Sequence, residues 1–153
     1  VYRAKSHARE LADLARTSKS GVASSLDGGF VFPHLHNGMD AIFAAAKLVE
    51  WVSADSAPLS QLAQLVPEHH LLRDTLPCPW ELKGQAMREL LGRLEQPGVD
   101  AFDGYRKAAG GGWFMVLPDA RHPSFTIYAE GTTRLDAERI LEEARRELAA
   151  QID

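Results

Sequence analysis

The chain has 153 residues, of which 45% are hydrophobic and 25% are charged, so it can bury a real core as one ordinary domain or two small ones. Its 17 Lys and Arg residues stand against 21 Asp and Glu residues, and the net charge of -4 provides no field that would gather a polyanion. Nucleic acid is therefore not an expected partner. The single cysteine, Cys78, excludes an internal disulfide and a cysteine-based zinc cluster.

No apolar run approaches the roughly 18 residues that span a bilayer, and the N-terminal residues lack the apolar stretch of a signal peptide. We therefore expect no membrane contact and a location in the reducing cytoplasm. The first residue is Val rather than Met, and a strand-like segment at residues 1–4 begins at once. This start suggests a chain that was cut from a longer one.

A strand, a helix and a hairpin are predicted over the first 33 residues. Ser6 is a plausible N-cap for a short helix with one apolar face. The inward positions of that helix are Leu11, Leu14 and Ala15. Residues 22–26 then have the pattern of a strand, the turn signal DGG follows at 27–29, and the apolar run at 30–32 is closed by Pro33. A two-stranded hairpin is the simplest interpretation.

A second helix is predicted between residues 39 and 52, because apolar residues recur there at intervals of three and four and so form one buried face. That face consists of Met39, Ile42, Phe43, Ala46, Val49 and Val52. Pro58 suits the first turn of a further short helix that runs through Leu65, and Pro67 stops it. We place a domain boundary at residue 67.

Beyond residue 67 the pattern restarts in the order β-α-β-β-β-α. The predicted elements are a strand at 70–76, a helix at 80–94, strands at 104–109, 113–117 and 124–130, and a closing helix. The apolar face of the helix at 80–94 comprises Met87, Leu90, Leu91 and Leu94. Three consecutive strands with short loops favour an antiparallel sheet with helices packed on one face, an α+β fold.

The closing helix has a clear start, since Thr133 and Asp136 have the spacing of a capping box. Its predicted apolar face consists of Leu135, Ile140, Leu141, Ala144, Leu148 and Ile152. The opposite face carries charges of both signs at helical spacing, which is typical of a solvated surface.

Several stretches together suggest a family. Residues 112–123 read GWFMVLPDARHP and residues 128–130 read YAE, while residues 103–106 read DGYR. Upstream, residues 27–33 read DGGFVFP and residues 39–42 read MDAI. These stretches resemble the C-terminal region of the α-D-phosphohexomutases, the phosphoglucomutase and phosphomannomutase family. The family has a Gly-Trp pair, an Arg-Pro-Ser-x-Thr-Glu-Pro phosphate loop and a Tyr-x-Glu strand in the corresponding order.

The resemblance implies that residues 1–67 are the C-terminal part of the family's third domain, an α/β remnant, and that residues 68–153 are its complete fourth domain. The family's phosphoserine nucleophile and magnesium loop belong to the first two domains, and the dipeptide Ser6-His7 stands in the wrong part of the chain to replace them. We therefore expect no catalytic residue and no metal or other cofactor in this fragment, with Mg²⁺ needed only in the missing domains. The implied partners are those N-terminal domains and a phosphorylated hexose, bound weakly or not at all in isolation.

In the family, the fourth-domain loop holds the nonreacting phosphate of the sugar. The resemblance makes Asp119, Arg121, His122 and Ser124 candidate phosphate-binding residues by loop position. The sequence departs from the family's loop, because Leu117 replaces its Arg, Asp119 its Ser, Arg121 its Thr and His122 its Glu. Asp119 would repel a phosphate dianion, whereas Arg121 and His122 would attract it. The alternative interpretation is an ordinary hairpin turn stiffened by two prolines.

The family's sugar-reading loop also departs from its pattern here. Its Gly-Glu-x-Ser-Gly-His falls on residues 25–30, SLDGGF, so that Leu26 and Phe30 replace a carboxylate and an imidazole. Two altered loops indicate a degenerate mutase module. Residues 28–33 and 77–84 also resemble the mutase-like C-terminal region of bacterial mannose-1-phosphate guanylyltransferases. That resemblance implies an alternative function, a noncatalytic scaffold or regulatory appendage of a sugar-phosphate nucleotidyltransferase.

A few other residues have both a functional and a structural interpretation. His34 and His36 could share a face as metal ligands, or form only loop hydrogen bonds. Cys78, which lies between two prolines, could be a nucleophile, but without a nearby base a packed side chain is favoured. Three aromatic residues on the predicted strands could stack on a sugar, although sheet packing is favoured for them. They are Trp113, Phe125 and Tyr128.

Overall fold

The computed structural model describes residues 1–54 and 57–152. The chain divides into two compact units, Val1–Pro67 and Glu68–Asp153, at the residue where the apolar pattern of the sequence restarts. Each unit has its own cluster of buried apolar side chains. None of the helices in the described parts of the chain is long and apolar enough to cross a membrane.

The first unit contains three helices and a short hairpin. Its elements are α1 (Ala8–Thr17), β1 (Ala23–Ser24), β2 (Phe30–Val31), α2 (Ala41–Ala54) and α3 (Leu59–Ala63). The strands β1 and β2 pair antiparallel, and Gly28 takes a φ of +84° in the turn between them, a conformation that favours glycine. The predicted hairpin is thus confirmed, although each strand is only two residues long.

Two details at the start of this unit differ from the prediction. Residues 1–4 form no strand, so the predicted opening strand is wrong. Helix α1 begins at Ala8 with His7 in the N-cap position, one residue later than a cap at Ser6 requires, and no side chain caps it. Leu11 and Ala15 are buried as expected, together with Ala12, whereas Leu14 is half-buried.

Helix α2 forms where it was predicted, but its expected buried face is wrong. None of its 14 residues, all of which the structure describes, is buried. Ile42 is 87% exposed and Val49 is 65% exposed. The physical reason is that two-residue strands cannot provide a sheet wide enough to cover a helix of this length. The apolar periodicity correctly indicated a helix, but it did not indicate what would cover that helix.

The second unit is a five-stranded antiparallel sheet with two helices. Its elements are β3 (His70–Pro77), α4 (Trp80–Leu91), β4 (Val99–Asp100), β5 (Tyr105–Ala109), β6 (Gly112–Pro118), β7 (Ser124–Gly131) and α5 (Arg134–Ala149). The strand order is β3-β7-β6-β5-β4. The α+β prediction is confirmed. The two-residue strand β4 was not predicted, because so short a segment shows no alternation.

Both helices pack on the same face of this sheet, since side chains from both belong to one buried cluster. Alternate residues of the three central strands meet Leu90 of α4 and Ile140, Ala144 and Leu148 of α5. The largest fully buried strand residues are Tyr105, Phe114, Val116, Phe125 and Ile127. This arrangement fixes the ends of β6 and β7 and therefore the loop that joins them.

Two leucines predicted to be buried in this unit are exposed instead. Leu135 is 75% exposed because it precedes the buried Ala137 by two residues, about 200° around an α-helix. Helix α4 ends at Leu91 with Gly92 as its C-cap, so Leu94 lies outside the helix and is 44% exposed.

The predicted N-cap of α5 is confirmed at Thr133, whereas the Asp136 carboxylate accepts hydrogen bonds from the hydroxyls of Thr132 and Thr133. The Thr133 hydroxyl accepts a hydrogen bond from the Asp136 backbone N–H at 3.1 Å. We expect Thr133→Ala to lower the free energy of unfolding by about 1 kcal/mol, because a backbone donor loses its partner. Urea denaturation measures this loss, and Thr133→Ser is the matched control because it keeps the hydroxyl. An equal loss in both variants would show that the cap is not the cause.

Candidate functional site

The four predicted phosphate-binding residues lie on and beside the loop that joins β6 to β7. Pro118 at the end of β6 is paired with Phe125 in β7. The Asp119 N–H donates to the Ser124 carbonyl at 3.0 Å, and the Ser124 N–H donates to the His122 carbonyl at 2.8 Å. The loop at residues 119–123 is therefore short and closed by its own backbone.

The side chain of Asp119 is 25% exposed and makes its hydrogen bonds within this loop. Its Oδ1 accepts hydrogen bonds from the backbone N–H groups of Arg121 at 2.7 Å and His122 at 3.1 Å. Its Oδ2 lies 3.1 Å from His122 Nδ1. The hydrogen bond from the Arg121 N–H, followed by those from His122, lowers the pKa of Asp119 to about 2. Because an ionised carboxylate only accepts hydrogen bonds, His122 Nδ1 carries the proton.

A buried lysine that the sequence analysis missed holds the other side of the loop. Lys83 of α4 is 7% exposed, and its Nζ donates to the carbonyls of Asp119 and, at 2.9 Å, of His122. The ammonium lies 4.1 Å from the centre of the Trp80 ring. The loop therefore directs carbonyl groups towards a lysine and N–H groups towards a carboxylate.

The sequence contains a signal for the burial of Lys83. Lys83, Ala86 and Leu90 have the spacing of one helical face, and all three are buried. A lysine on an apolar face is usually interpreted as a side chain whose charged end reaches solvent. Here the charged end reaches backbone carbonyls of residues 36 and 39 positions away, which no local pattern indicates.

The remaining candidate residues of the loop differ in exposure. Arg121 is exposed, and the His122 side chain is 71% exposed, so both reach solvent. Ser124 is 6% exposed and lies at the first position of β7, paired with Pro77 of β3. The structure thus brings Asp119, Arg121 and His122 together at the surface and places Ser124 beneath them. Phosphate binding at these four residues stays a prediction.

Cys78 supports the loop from the neighbouring strand end. Its N–H donates to the Pro123 carbonyl at 2.8 Å, and the residue is 1% exposed. Burial raises the pKa of its thiol, which disfavours the reactive thiolate. These observations support a packed residue rather than a nucleophile.

The aromatic residues proposed for sugar stacking are occupied by other contacts. Phe125 is fully buried in the core. The Arg106 guanidinium lies 4.7 Å from the Trp113 ring centre, and the Arg73 guanidinium lies 5.8 Å from that of Tyr128. These contacts favour the packing interpretation over an open stacking platform.

His34 and His36, the two candidate metal ligands of the first unit, contact different partners. His34 packs edge-on against Phe32 and Phe43, whereas His36 Nε2 lies 3.2 Å from Asp40 Oδ2. Among residues 1–54 and 57–152, no three His, Cys, Asp or Glu side chains converge in a way that could hold a metal ion. The expectation that this fragment needs no metal, with Mg²⁺ only in the preceding domains, stays a prediction.

The loop at residues 25–30, which corresponds in position to the family's sugar-reading loop by the resemblance above, forms the tip of the β1–β2 hairpin. The Ser25 N–H donates to the Gly29 carbonyl at 2.9 Å, and the Gly29 N–H donates to Ser25 Oγ at 3.1 Å. Leu26 is 49% exposed and Phe30 is 41% exposed. At these two positions the hairpin therefore presents apolar side chains, which cannot hydrogen-bond a sugar hydroxyl.

The acidity of Asp119 predicts how the loop responds to pH. A carboxyl group in an unfolded chain titrates near pH ~4, whereas Asp119 titrates near pH 2, so its stabilising contribution is complete above about pH 4 and disappears as the pH falls towards 2. We expect the Arg121 and His122 amide resonances to shift in that range. NMR spectra recorded between pH 5 and the acid unfolding transition measure this, with the amide of Val116, which is 1% exposed in the sheet core, as an internal reference. A midpoint near 4 would contradict the observed hydrogen bonds.

Comparisons with known proteins identify the class of this fold. No protein-family profile matches the chain. A phosphoglucomutase/phosphomannomutase family protein from Burkholderia thailandensis matches in structure with a TM-score of 0.71 and 20% identity, over 93% of this chain and 31% of that one. The chain therefore has the fold found in sugar-phosphate mutases.

Curated relatives narrow the identification. The chain is 35% identical over 123 residues to a probable phosphoglucosamine mutase from Methanosarcina barkeri, covering 76% of this chain and 28% of that protein. It is 33% identical over 122 residues to the one from Pyrococcus furiosus, covering 77% of this chain and 27% of that protein. The chain belongs to the α-D-phosphohexomutase family and corresponds to its C-terminal region. It spans less than a third of the length of these two relatives.

Proposed function

We propose that this chain is the phosphosugar-contacting C-terminal part of a phosphohexomutase-family protein. The parent reaction would be phosphoryl transfer between positions 1 and 6 of a hexose phosphate. Residues 1–67 would be the end of domain three, and residues 68–153 would be domain four. The fragment would act together with the preceding domains of the parent chain and would not catalyse the reaction alone. The observation that carries this proposal is the 33–35% identity to phosphoglucosamine mutases over more than three quarters of the chain.

The loop at residues 119–123 supports a contact with phosphate. The side chains of Arg121 and His122 extend from it into solvent, and either could approach a phosphate oxygen. The loop is held by Lys83, by the pairing of β6 with β7 and by the Cys78 N–H, so its backbone is fixed before any ligand arrives. A fixed loop loses little conformational entropy on binding.

Two features of the same loop indicate a low affinity for phosphate. Leu117 stands where the family's loop has Arg, so the bidentate guanidinium contact at that position is lost. The Asp119 carboxylate adds a negative charge next to the place where a phosphate would sit. The proposal therefore describes a degenerate site with low affinity for a phosphorylated hexose.

An NMR titration of the whole chain tests this proposal. The ligands are glucose 1-phosphate, mannose 1-phosphate, glucosamine 1-phosphate and mannose 1,6-bisphosphate. We expect saturable shifts of the Arg121 and His122 amides at millimolar ligand, and their loss in Arg121→Ala. Arg134→Ala is the matched control, since this exposed arginine of α5 lies outside the loop and forms an ion pair with Glu138 at 3.0 Å. Unchanged loop resonances with every ligand would contradict the proposal.

A second candidate function is a noncatalytic scaffold or regulatory appendage of a sugar-phosphate nucleotidyltransferase such as a mannose-1-phosphate guanylyltransferase. Asp119 favours it, because a loop whose donors are already satisfied has no evident need of a ligand. The coding sequence upstream of this chain separates the two functions. A nucleotidyltransferase signature without a phosphoserine loop would favour the appendage, whereas intact phosphoserine and magnesium loops would favour a working mutase.

A further inference from the structure

The loop at residues 119–123 has two chemically different sides. On one side, two carbonyl groups accept hydrogen bonds from the buried Lys83. On the other side, two backbone N–H groups and one imidazole nitrogen converge on the two oxygens of Asp119, at distances between 2.7 and 3.1 Å. The donors thus form a small cluster around one negatively charged group.

Such a cluster suits an oxyanion in general. Successive backbone N–H groups that point to one spot form an anion-binding concavity, and the protonated nitrogen of an imidazole adds a further donor. Carboxylate and phosphate oxygens are equivalent acceptors for these donors at these distances. Arg121 is exposed and adds a positive charge to the same loop.

We infer that the Asp119 side chain is an intramolecular occupant of an oxyanion site in this loop, and that a phosphate monoester binds there only by displacing it. This inference rests on the proposed function, since it states how the proposed phosphate contact is controlled. Asp119 is tethered to the loop and loses no translational freedom when it binds, whereas a free ligand does. While in place, its charge also repels the dianion.

The frame of the site does not depend on Asp119. Lys83 is fixed by helix α4 and holds the loop carbonyls, and the Cys78 N–H holds the Pro123 carbonyl. Removal of the Asp119 side chain therefore leaves the two N–H groups in place and without their present acceptor. The donors then become available to an external anion.

The test uses Asp119→Ala in the full chain, with inorganic phosphate and glucose 1-phosphate as separate probes in NMR titrations. Loss of one negative charge and release of three donors should tighten the binding of both probes by about tenfold or more relative to the unaltered chain. Asp119→Asn is the matched variant because it keeps an acceptor oxygen but loses the charge, and its affinity should lie between the two. Hydrogen exchange of the Arg121 and His122 amides should be faster in Asp119→Ala.

The outcomes separate this inference from the proposed function. Binding of glucose 1-phosphate with equal affinity by the unaltered chain and by Asp119→Ala would overturn the inference and leave the proposed function standing. Tightened binding of inorganic phosphate alone would support the occupied oxyanion site and contradict the hexose phosphate as its ligand. The inference would also be overturned if neither Asp119 variant bound phosphate or glucose 1-phosphate while the Cys78 and Ser124 amides stayed protected from exchange. The loop would then be folded and free of the Asp119 carboxylate, and it would still bind no anion.

Discussion

Lys83→Met is expected to lower the free energy of unfolding by about 2–3 kcal/mol and to loosen the loop at residues 119–123. Methionine keeps a long apolar side chain beside Trp80 but has no donor. The carbonyls of Asp119 and His122 therefore lose a charged hydrogen-bond partner in a place where Lys83 is 7% exposed. Urea denaturation measures the global loss, and hydrogen exchange at Ser124 and Cys78 measures the local one.

The control for this prediction is Arg88→Met, on an exposed position of the same helix. It removes a positive charge and introduces the same side chain, and it should change stability by less than about 0.5 kcal/mol. The role assigned to Lys83 would be wrong if both variants were destabilised equally. It would also be wrong if the loop amides exchanged at an unchanged rate in Lys83→Met.

Glu147→Ala is expected to be the most damaging single change outside the apolar core, with a loss of about 3 kcal/mol. Glu147 lies on α5 with its side chain 10% exposed. Its carboxylate accepts hydrogen bonds from the Tyr105 hydroxyl at 2.6 Å, from Arg93 at 3.0 Å and from Lys107 at 2.8 Å. Alanine would leave these three donors, two of them charged, without their common acceptor.

Glu143→Ala is the matched control, because Glu143 also contacts Lys107, at 3.4 Å, but is 40% exposed. Its removal should cost less than about 1 kcal/mol, as for other exposed ion pairs. Thermal or urea unfolding of both variants makes the comparison. An equal loss of unfolding free energy in the two variants would show that the burial of Glu147 adds nothing to the stabilising effect of its contacts.

The effect of Glu147→Ala should also depend on pH. Burial alone would raise the pKa of Glu147, but the hydrogen bonds from Lys107 and Tyr105 outweigh it and the pKa is lowered. A lowered pKa means that the contribution is complete above the unfolded value near ~4.3 and is lost as the pH falls through the folded value. The stability difference between the unaltered chain and the variant should therefore be largest near neutral pH and shrink below about pH 4.

The second half of the fold was predictable because its signals are local. The Thr133–Asp136 capping box fixed the start of α5, and alternation with Gly and Pro punctuation located β5, β6 and β7 to within one residue at each end. The α+β class followed from three consecutive strands with short loops. Leu135 shows the limit of hydrophobicity as a signal, because its angle around the helix places it away from the apolar face.

The parts of the candidate site that could not be predicted depend on distant contacts. The sequence indicates a polar loop bounded by Pro118 and Pro123, but not that Asp119 would turn inward onto two N–H groups. Nor does it indicate that Lys83, from a helix 36 residues earlier, would hold the same loop. Similarly, the periodicity of α2 showed an apolar face without showing whether anything covers it. Local patterns specify elements, whereas tertiary contacts decide which polar groups they satisfy.

The position of Lys83 over Trp80 has a practical consequence for spectroscopy. The Lys83 ammonium lies 4.1 Å from the centre of the Trp80 ring. The fluorescence emission of an indole responds to a charge at that distance. Trp80 can therefore act as a built-in fluorophore for the state of this part of the molecule. With Trp51 and Trp113 replaced by phenylalanine, the remaining tryptophan would report optically, without any attached dye, on whether the ammonium stays in place.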